Sequence, residues 1–163
     1  MKAFIIGAAG FVGGHLMDEM QRLGWTVGAS KMPQETIAKS GVCVYDLDIL
    51  NPDAISAVLS EFAPDYIVHL AAQSSVALSW KNPGLTIDVN VKGAVNVLEA
   101  VRALEKKPRI LLIGSGEQYG HIHQDECPVG EETPMRPGNI YAATKACQDM
   151  LGKIYADAYG MDV

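Results

Sequence analysis

The sequence predicts a doubly wound α/β fold, a parallel sheet with helices on both faces. Three observations carry this. Short apolar runs alternate with helix-period stretches along the whole chain. The first run, Phe4-Ile5-Ile6, has no polar alternation and so reads as a strand buried on both sides. It stops at a glycine, and glycines recur at Gly7, Gly10 and Gly13 before an amphipathic stretch.

Each of those glycines has a physical task. One turns the chain sharply out of the strand, one lets backbone approach a pyrophosphate, and one lets the helix pack closely on the sheet. The spacing is G-x-x-G-x-x-G, placed between a strand and a helix, which is the context a dinucleotide site requires. Free N–H groups at the helix start attract phosphate. The helix that follows carries Val12, Leu16, Met20 and Leu23 on its expected inner face and ends at Gly24.

Residues 25–30 form the second strand. An acidic residue about 20 positions beyond the glycines commonly holds the ribose 2′-hydroxyl of NAD, but here Ser30 and Lys31 stand at the strand end. A hydroxyl beside a cation suits the extra phosphate of NADP, so NADP is favoured over NAD, unless Lys31 is simply a solvated lysine. Residues 42–45 form the third strand, with Asp48 and Ile49 just beyond it. Asp48 is placed to accept from an adenine amino group, or is a plain loop carboxylate, and Ile49 to cover the ring. Asn51-Pro52-Asp53 is an N-cap with proline in the first turn, opening a helix that runs to Phe62.

The fourth strand, 66–70, runs into Ala71-Ala72-Gln73-Ser74-Ser75, small residues at the edge where parallel sheets bind ligands. Residues 85–104 are helical, with one apolar stripe through Ala94, Val97, Val101 and Leu104 and another through Val91, Val95 and Leu98. One stripe suffices for the sheet; the second suits a partner helix, or a deeply buried helix with no partner. After Lys106-Lys107-Pro108 comes a fifth strand, 109–113, then Gly114-Ser115-Gly116-Glu117. A long proline-bearing loop leads to the last helix, which opens at Asn139.

Tyr141 and Lys145 are four apart on that helix and therefore share a face. A free tyrosine titrates near 10, and a neighbouring ammonium favours the phenolate, which suits proton exchange with a carbonyl oxygen. A hydroxyl such as Ser115 on the same oxygen stabilises charge developing there.

Composition narrows the partners. The net charge of −6 over 163 residues argues against nucleic acid or an anionic membrane surface. Cys43, Cys127 and Cys147 are odd in number and unpatterned, as in a reducing compartment, and suggest neither a disulfide frame nor a metal site. His121 and His123 lack a third ligand at a usable spacing, so no metal is expected. No apolar run is long enough to span a membrane and no signal-peptide layout is present, so the expected location is cytoplasmic.

The motifs together resemble the extended short-chain dehydrogenase/reductases, the NAD-dependent epimerase/dehydratase family of nucleotide-sugar enzymes. The resemblance rests on Gly7-x-x-Gly10-x-x-Gly13, Asp48-Ile49, His69-Leu-Ala-Ala72, Asn90-Val-x-Gly93, Ser115-x-Glu117-x-Tyr119-Gly120 and Glu132-x-Pro134-x-x-Pro137-x-x-x-Tyr141-x-x-x-Lys145. Ala72 to Pro83 looks most like GDP-mannose 4,6-dehydratases and the related GDP-6-deoxy-4-keto-hexose reductases. The resemblance implies a Rossmann-like fold and a Ser115/Tyr141/Lys145 triad, with Lys145 also binding the nicotinamide ribose. It implies a cofactor lined by Gly7, Gly10, Phe11, Val12, Gly13, Asp48, Ile49, Leu70, Ala71, Ala72 and Asn90, and a GDP-hexose near Ser74, Ser75 and Glu117.

In the dehydratases a glutamate at position 117 removes the C5 proton, although reductases of this branch carry an acid there too. The dehydratases usually have threonine in place of Ser115 and arginines in place of Ser30-Lys31, so both departures favour the reductase. Glu117 as a mere loop anchor is the plainer alternative. A non-catalytic cofactor-binding member is a further alternative, against which the intact Ser115, Tyr141 and Lys145 argue. Members are roughly twice as long, so residues 1–163 are expected to be the cofactor-binding domain of a longer enzyme whose substrate domain is not encoded here. The resemblance and the second stripe together imply a homodimer through the 85–104 and 140–160 helices.

Overall fold

The computed structural model describes residues 1–163. Its elements are β1 (Lys2–Ile6), α1 (Phe11–Arg22), β2 (Thr26–Lys31), β3 (Val42–Asp46), α2 (Pro52–Phe62), β4 (Tyr66–His69), α3 (Val76–Lys81), α4 (Pro83–Ile87), a π-helical segment Asp88–Lys92, α5 (Gly93–Ala103), β5 (Arg109–Leu112), two 3₁₀ turns (Gly116–Tyr119 and Gln124–Glu126) and α6 (Ile140–Tyr159). The five strands are all parallel, in the order β3-β2-β1-β4-β5.

The direction of winding reverses beside β1, which is therefore the central strand and the point at which such sheets bind ligands. Alternate side chains of β1 feed two cores, as the strand repeat of two requires. Phe4 and Ile6 join Ile55, Leu59, Phe62, Val97 and Val101 beneath α2 and α5. Ala3 and Ile5 join Met17, Met20, Val27 and Val68 beneath α1. No polar residue interrupts Ala3 to Ile6, and all four are fully buried.

Local sequence explains most of the boundaries. Asn51 accepts from the Ala54 amide at 3.1 Å and Asn139 from the Ala142 amide at 2.8 Å, capping α2 and α6. Gly24 and Gly160 take positive φ, +74° and +63°, just past α1 and α6. The last residues turn back along β5: the Ile110 amide donates to the Asp162 carbonyl at 2.8 Å and Arg109 pairs with Asp162 at 2.6 Å.

Two expectations need correction, and one element is additional. The single helix over 85–104 is a chain of α4, a π segment and α5, because Asn82-Pro83 restarts the helix and the π turn rotates Asn90 inward. Ser75 caps a short helix, α3, in a stretch to which the sequence assigns no element. The inner face of α1 is Gly13, Met17 and Met20, whereas Val12 and Leu23 are exposed. Val12 is exposed because it faces the groove described next.

Candidate active site

A groove of about 740 Å³ runs along the carboxyl edge of the sheet, across the β1 switch point. Its floor begins at the glycine turn. Gly7 has φ +80°, and a Cβ there would lie 2.6 Å from the Ala71 Cα. On Gly13 a Cβ would lie 2.6 Å from the Ala8 Cα, so these two glycines are required by the chain's own packing. Gly10 differs: a Cβ there would meet no protein atom, so its bareness leaves room for something outside the chain. Gly10 also sits at the start of α1, which has no side-chain cap and no acidic residue in its first turn. Its leading amides are thus open to an anion.

At one end the groove is bounded by Asp48, Ile49, Leu47 and the end of β2. The Asp48 Oδ1 accepts from the Leu50 amide at 2.9 Å, which fixes the carboxylate at the rim. Ile49 is buried against Gly93, and its carbonyl accepts from Asn96 at 2.9 Å. The Ser30 hydroxyl is buried and accepts from the Gly7 amide at 3.1 Å, so it braces the glycine turn. The Lys31 ammonium pairs with Asp46. Both groups that the sequence aimed at a 2′-phosphate are therefore engaged elsewhere.

At the other end stand Tyr141 and Lys145, one helical turn apart on α6, 9% and 3% exposed and both lining the groove. The Lys145 Nζ donates to the Ile113 carbonyl at 2.7 Å and to Gln148 Oε1 at 2.9 Å. Burial still pushes its ammonium down to about 8, because two neutral oxygens do not replace its water. Beneath it lies His69, buried, with both ring nitrogens unpartnered. Burial, then the Lys145 charge, hold this imidazole neutral, with its pKa pushed down to about 3.

Leu70, Ala71, Ala72 and Ser74 line the groove, as do Phe11 and Val12. Four other predicted residues stand behind or beside it. Ser115 is half-buried, and its Oγ accepts from the Glu117 amide at 3.2 Å, so it caps the first 3₁₀ turn. Glu117 is exposed and accepts from Asn139 Nδ2 at 2.9 Å, tied to the start of α6. Ser75 caps α3.

Asn90 does not line the groove; it is a buried clamp. Its Oδ1 accepts from the Gln73 amide at 2.7 Å, and its Nδ2 donates to the Gln73 carbonyl at 3.0 Å and to Thr144 Oγ1 at 2.9 Å. Thr144 in turn donates to the Tyr141 carbonyl at 2.7 Å. Gln73 lines the groove within the stretch 71–75 placed at the ligand edge, whereas Glu35 and Gln148 belong to no motif in the sequence; of these two only Gln148, three residues past Lys145 on the same helix, carries a usable signal. His121 and His123 lie edge to face on an exposed loop, 5.0 Å between centroids. No helix is long and apolar enough to cross a membrane.

The family profile described as GDP-mannose 4,6 dehydratase matches residues 4–163. The chain belongs to the GDP-mannose 4,6-dehydratase family. Among relatives, it is 32% identical over 168 residues to GDP-mannose 4,6-dehydratase sdnI of Sordaria araneosa, covering 98% of this chain and 30% of that one. It is 30% identical over 150 residues to the GDP-6-deoxy-D-mannose reductase of Pseudomonas aeruginosa, covering 92% and 45%. Among solved structures, Thermus thermophilus UDP-glucose 4-epimerase in complex with NAD superposes with a TM-score of 0.92 at 29% identity, covering 99% of this chain and 52% of that one. RMD from Pseudomonas aeruginosa, complexed with NADPH, gives 0.82 at 28%, covering 98% and 50%. This member of the GDP-mannose 4,6-dehydratase family thus spans between about a third and a half of the proteins it matches.

Proposed function

We propose that residues 1–163 are the NAD(P)-binding domain of a nucleotide-sugar oxidoreductase that acts at C4 of a GDP-6-deoxy-4-keto-hexose. One observation carries this reading: the glycine turn and the Tyr141/Lys145 pair line one and the same groove. The uncapped start of α1 and the bare Gly10 would hold the pyrophosphate, Asp48 and Ile49 the adenine, and Lys145 the nicotinamide ribose. A reduced nicotinamide bound there would supply hydride to C4, and Tyr141 would give a proton to the C4 oxygen, the two together turning the ketone into a secondary alcohol. Lys145 brings a positive charge to the same end of the groove as that phenol, and the Ser115 hydroxyl, once turned to the same oxygen, would stabilise its developing charge. The longer protein supplies the sugar site and forms a homodimer through α5 and α6, where Met150 and Ile154 are exposed on α6.

A second reading rests on Glu117, a carboxylate held by Asn139 beside the groove. A base there suits removal of the C5 proton in a 4,6-dehydratase. The test uses the longer protein with GDP-4-keto-6-deoxymannose plus NADPH or NADH, and separately with GDP-mannose. Oxidation of the reduced nucleotide with the ketone supports the reductase. A ketone formed from GDP-mannose without net cofactor change overturns it in favour of the dehydratase, and inertness to both overturns each reading.

A further inference from the structure

Behind the groove, under the face of α6 that packs on the sheet, three buried side-chain nitrogens have no hydrogen-bond partner: both ring nitrogens of His69 and the Nε2 of Gln148. Neither residue lines the groove. The buried face of α6 runs through Tyr141, Lys145, Gln148, Gly152 and Tyr155, the spacing of a core stripe. An apolar side chain is the ordinary occupant of position 148 in such a stripe, and a buried amide with an unpaired NH₂ lowers stability. Breaches of local preference of this kind concentrate at functional sites.

The other half of the amide shows what it serves. Gln148 Oε1 accepts from the Lys145 Nζ at 2.9 Å, and the Ile113 carbonyl, just past β5, accepts from the same nitrogen at 2.7 Å. An ammonium has three N–H donors. Two are tied to the chain, one to α6 and one to the end of β5, which leaves one for the groove that Lys145 lines. Both tethers are uncharged, so they fix the ammonium without neutralising it. The titratable groups around it are His69 from β4, held neutral, and Tyr141 from α6 itself. Glu117, on the 3₁₀ turn packed against α6, is exposed and bonded to Asn139. No carboxylate hydrogen-bonds to the ammonium.

We propose that Gln148 is a positioning residue: with the Ile113 carbonyl, its amide oxygen holds the Lys145 ammonium so that the remaining N–H is directed into the groove, and its place in the core serves that hold, not the stability of the fold. The proposal rests on the reading of Tyr141 and Lys145 as the reacting end of the groove.

Three readouts test it. In the purified protein, the Lys145 side-chain resonances are followed against pH, and the parent is expected to titrate at about 8. Gln148→Leu removes an acceptor that favours the charged form and is expected to move that midpoint down. Gln148→Glu keeps the acceptor, adds a negative charge and is expected to move it up. In the longer enzyme, Gln148→Leu is expected to lower kcat roughly ten- to a hundredfold, the worth of one hydrogen bond to a charged group. KM for the sugar is expected to change little, because Gln148 does not line the groove. Gln148→Glu is expected to keep most of the turnover, with its pH profile displaced the same way as the Lys145 midpoint. Gln148→Leu combined with Lys145→Met is expected to unfold at a urea concentration at least as high as the parent's, since both partners of the bond are then apolar. An unchanged Lys145 midpoint in Gln148→Leu, an unchanged kcat beside a shifted midpoint, or a less stable double variant overturns the positioning role and leaves the groove reading intact. A parent enzyme inert to both the ketone and GDP-mannose overturns the reading of the reacting end, and the titration by itself then decides whether Gln148 holds Lys145.

Discussion

Asn90→Ala tests the clamp that holds the floor of the site to the helix bearing Tyr141. The side chain is buried and makes three hydrogen bonds, two to the backbone of Gln73 and one to Thr144. Each bond is worth about 1 kcal/mol net, and a buried group left unpaired costs about 1–3 kcal/mol. Removing all three is therefore expected to cost roughly 3–5 kcal/mol, a large part of a total near 5–15 kcal/mol. Asn90→Asp is no milder. It keeps an acceptor for the Gln73 amide but turns an oxygen toward the Gln73 carbonyl and toward Thr144, whose hydroxyl hydrogen already goes to Tyr141. Urea unfolding at equilibrium reads the stability, and dinucleotide titration reads the groove, because Gln73 and Ser74 line it. A loss below about 1 kcal/mol in Asn90→Ala, the worth of a single bond, would refute the clamp.

Three further outcomes are expected. Gly10→Ala should leave unfolding within about 0.5 kcal/mol of the parent, apart from helix-start effects, yet weaken dinucleotide binding, since only a ligand fills the space its Cβ would take. Gly13→Ala should instead lower stability by roughly 1–3 kcal/mol, as its Cβ would run into the Ala8 backbone; equal stability in the two variants would contradict the assignment. His69 is held neutral with a pKa near 3, against 6.5 in the unfolded chain. The unfolded state binds the extra proton first, so stability is complete above about pH 6.5 and declines as the pH falls toward 3. His69→Leu should flatten that decline in urea titrations at stepped pH, and an unaltered slope would count against it. In the longer enzyme, Tyr141→Phe should lower turnover by about 10²–10⁴, and full turnover would remove Tyr141 from the reaction.

Features fixed by short-range chemistry were legible in the sequence. The buried β1, the Asn51-Pro52 and Asn139 caps and the four-residue spacing of Tyr141 and Lys145 all depend on neighbours within a turn or two. The misreadings arose where a side chain's partner lies far along the chain. Ser30 looks like a free hydroxyl until Gly7 is folded against it, 23 residues away in sequence. Lys31 reads as an available cation, but Asp46, 15 residues on, is brought beside it by the β2–β3 pairing. Asn90 belongs to a motif that points toward a cofactor, yet the π turn directs it to Gln73 and Thr144. Periodicity over 85–104 does not by itself mark that turn, because the π segment spans only five residues between two helical stretches.

The central claim is that one groove holds a dinucleotide from the glycine turn to Tyr141. Titrating isotope-labelled protein with NAD⁺ while following backbone amide resonances tests this most directly. Shifts at Gly7, Gly10 and Gly13 should move together with those at Tyr141 and Lys145, along a single saturation curve. Saturable binding that moves one cluster and leaves the other untouched would contradict it.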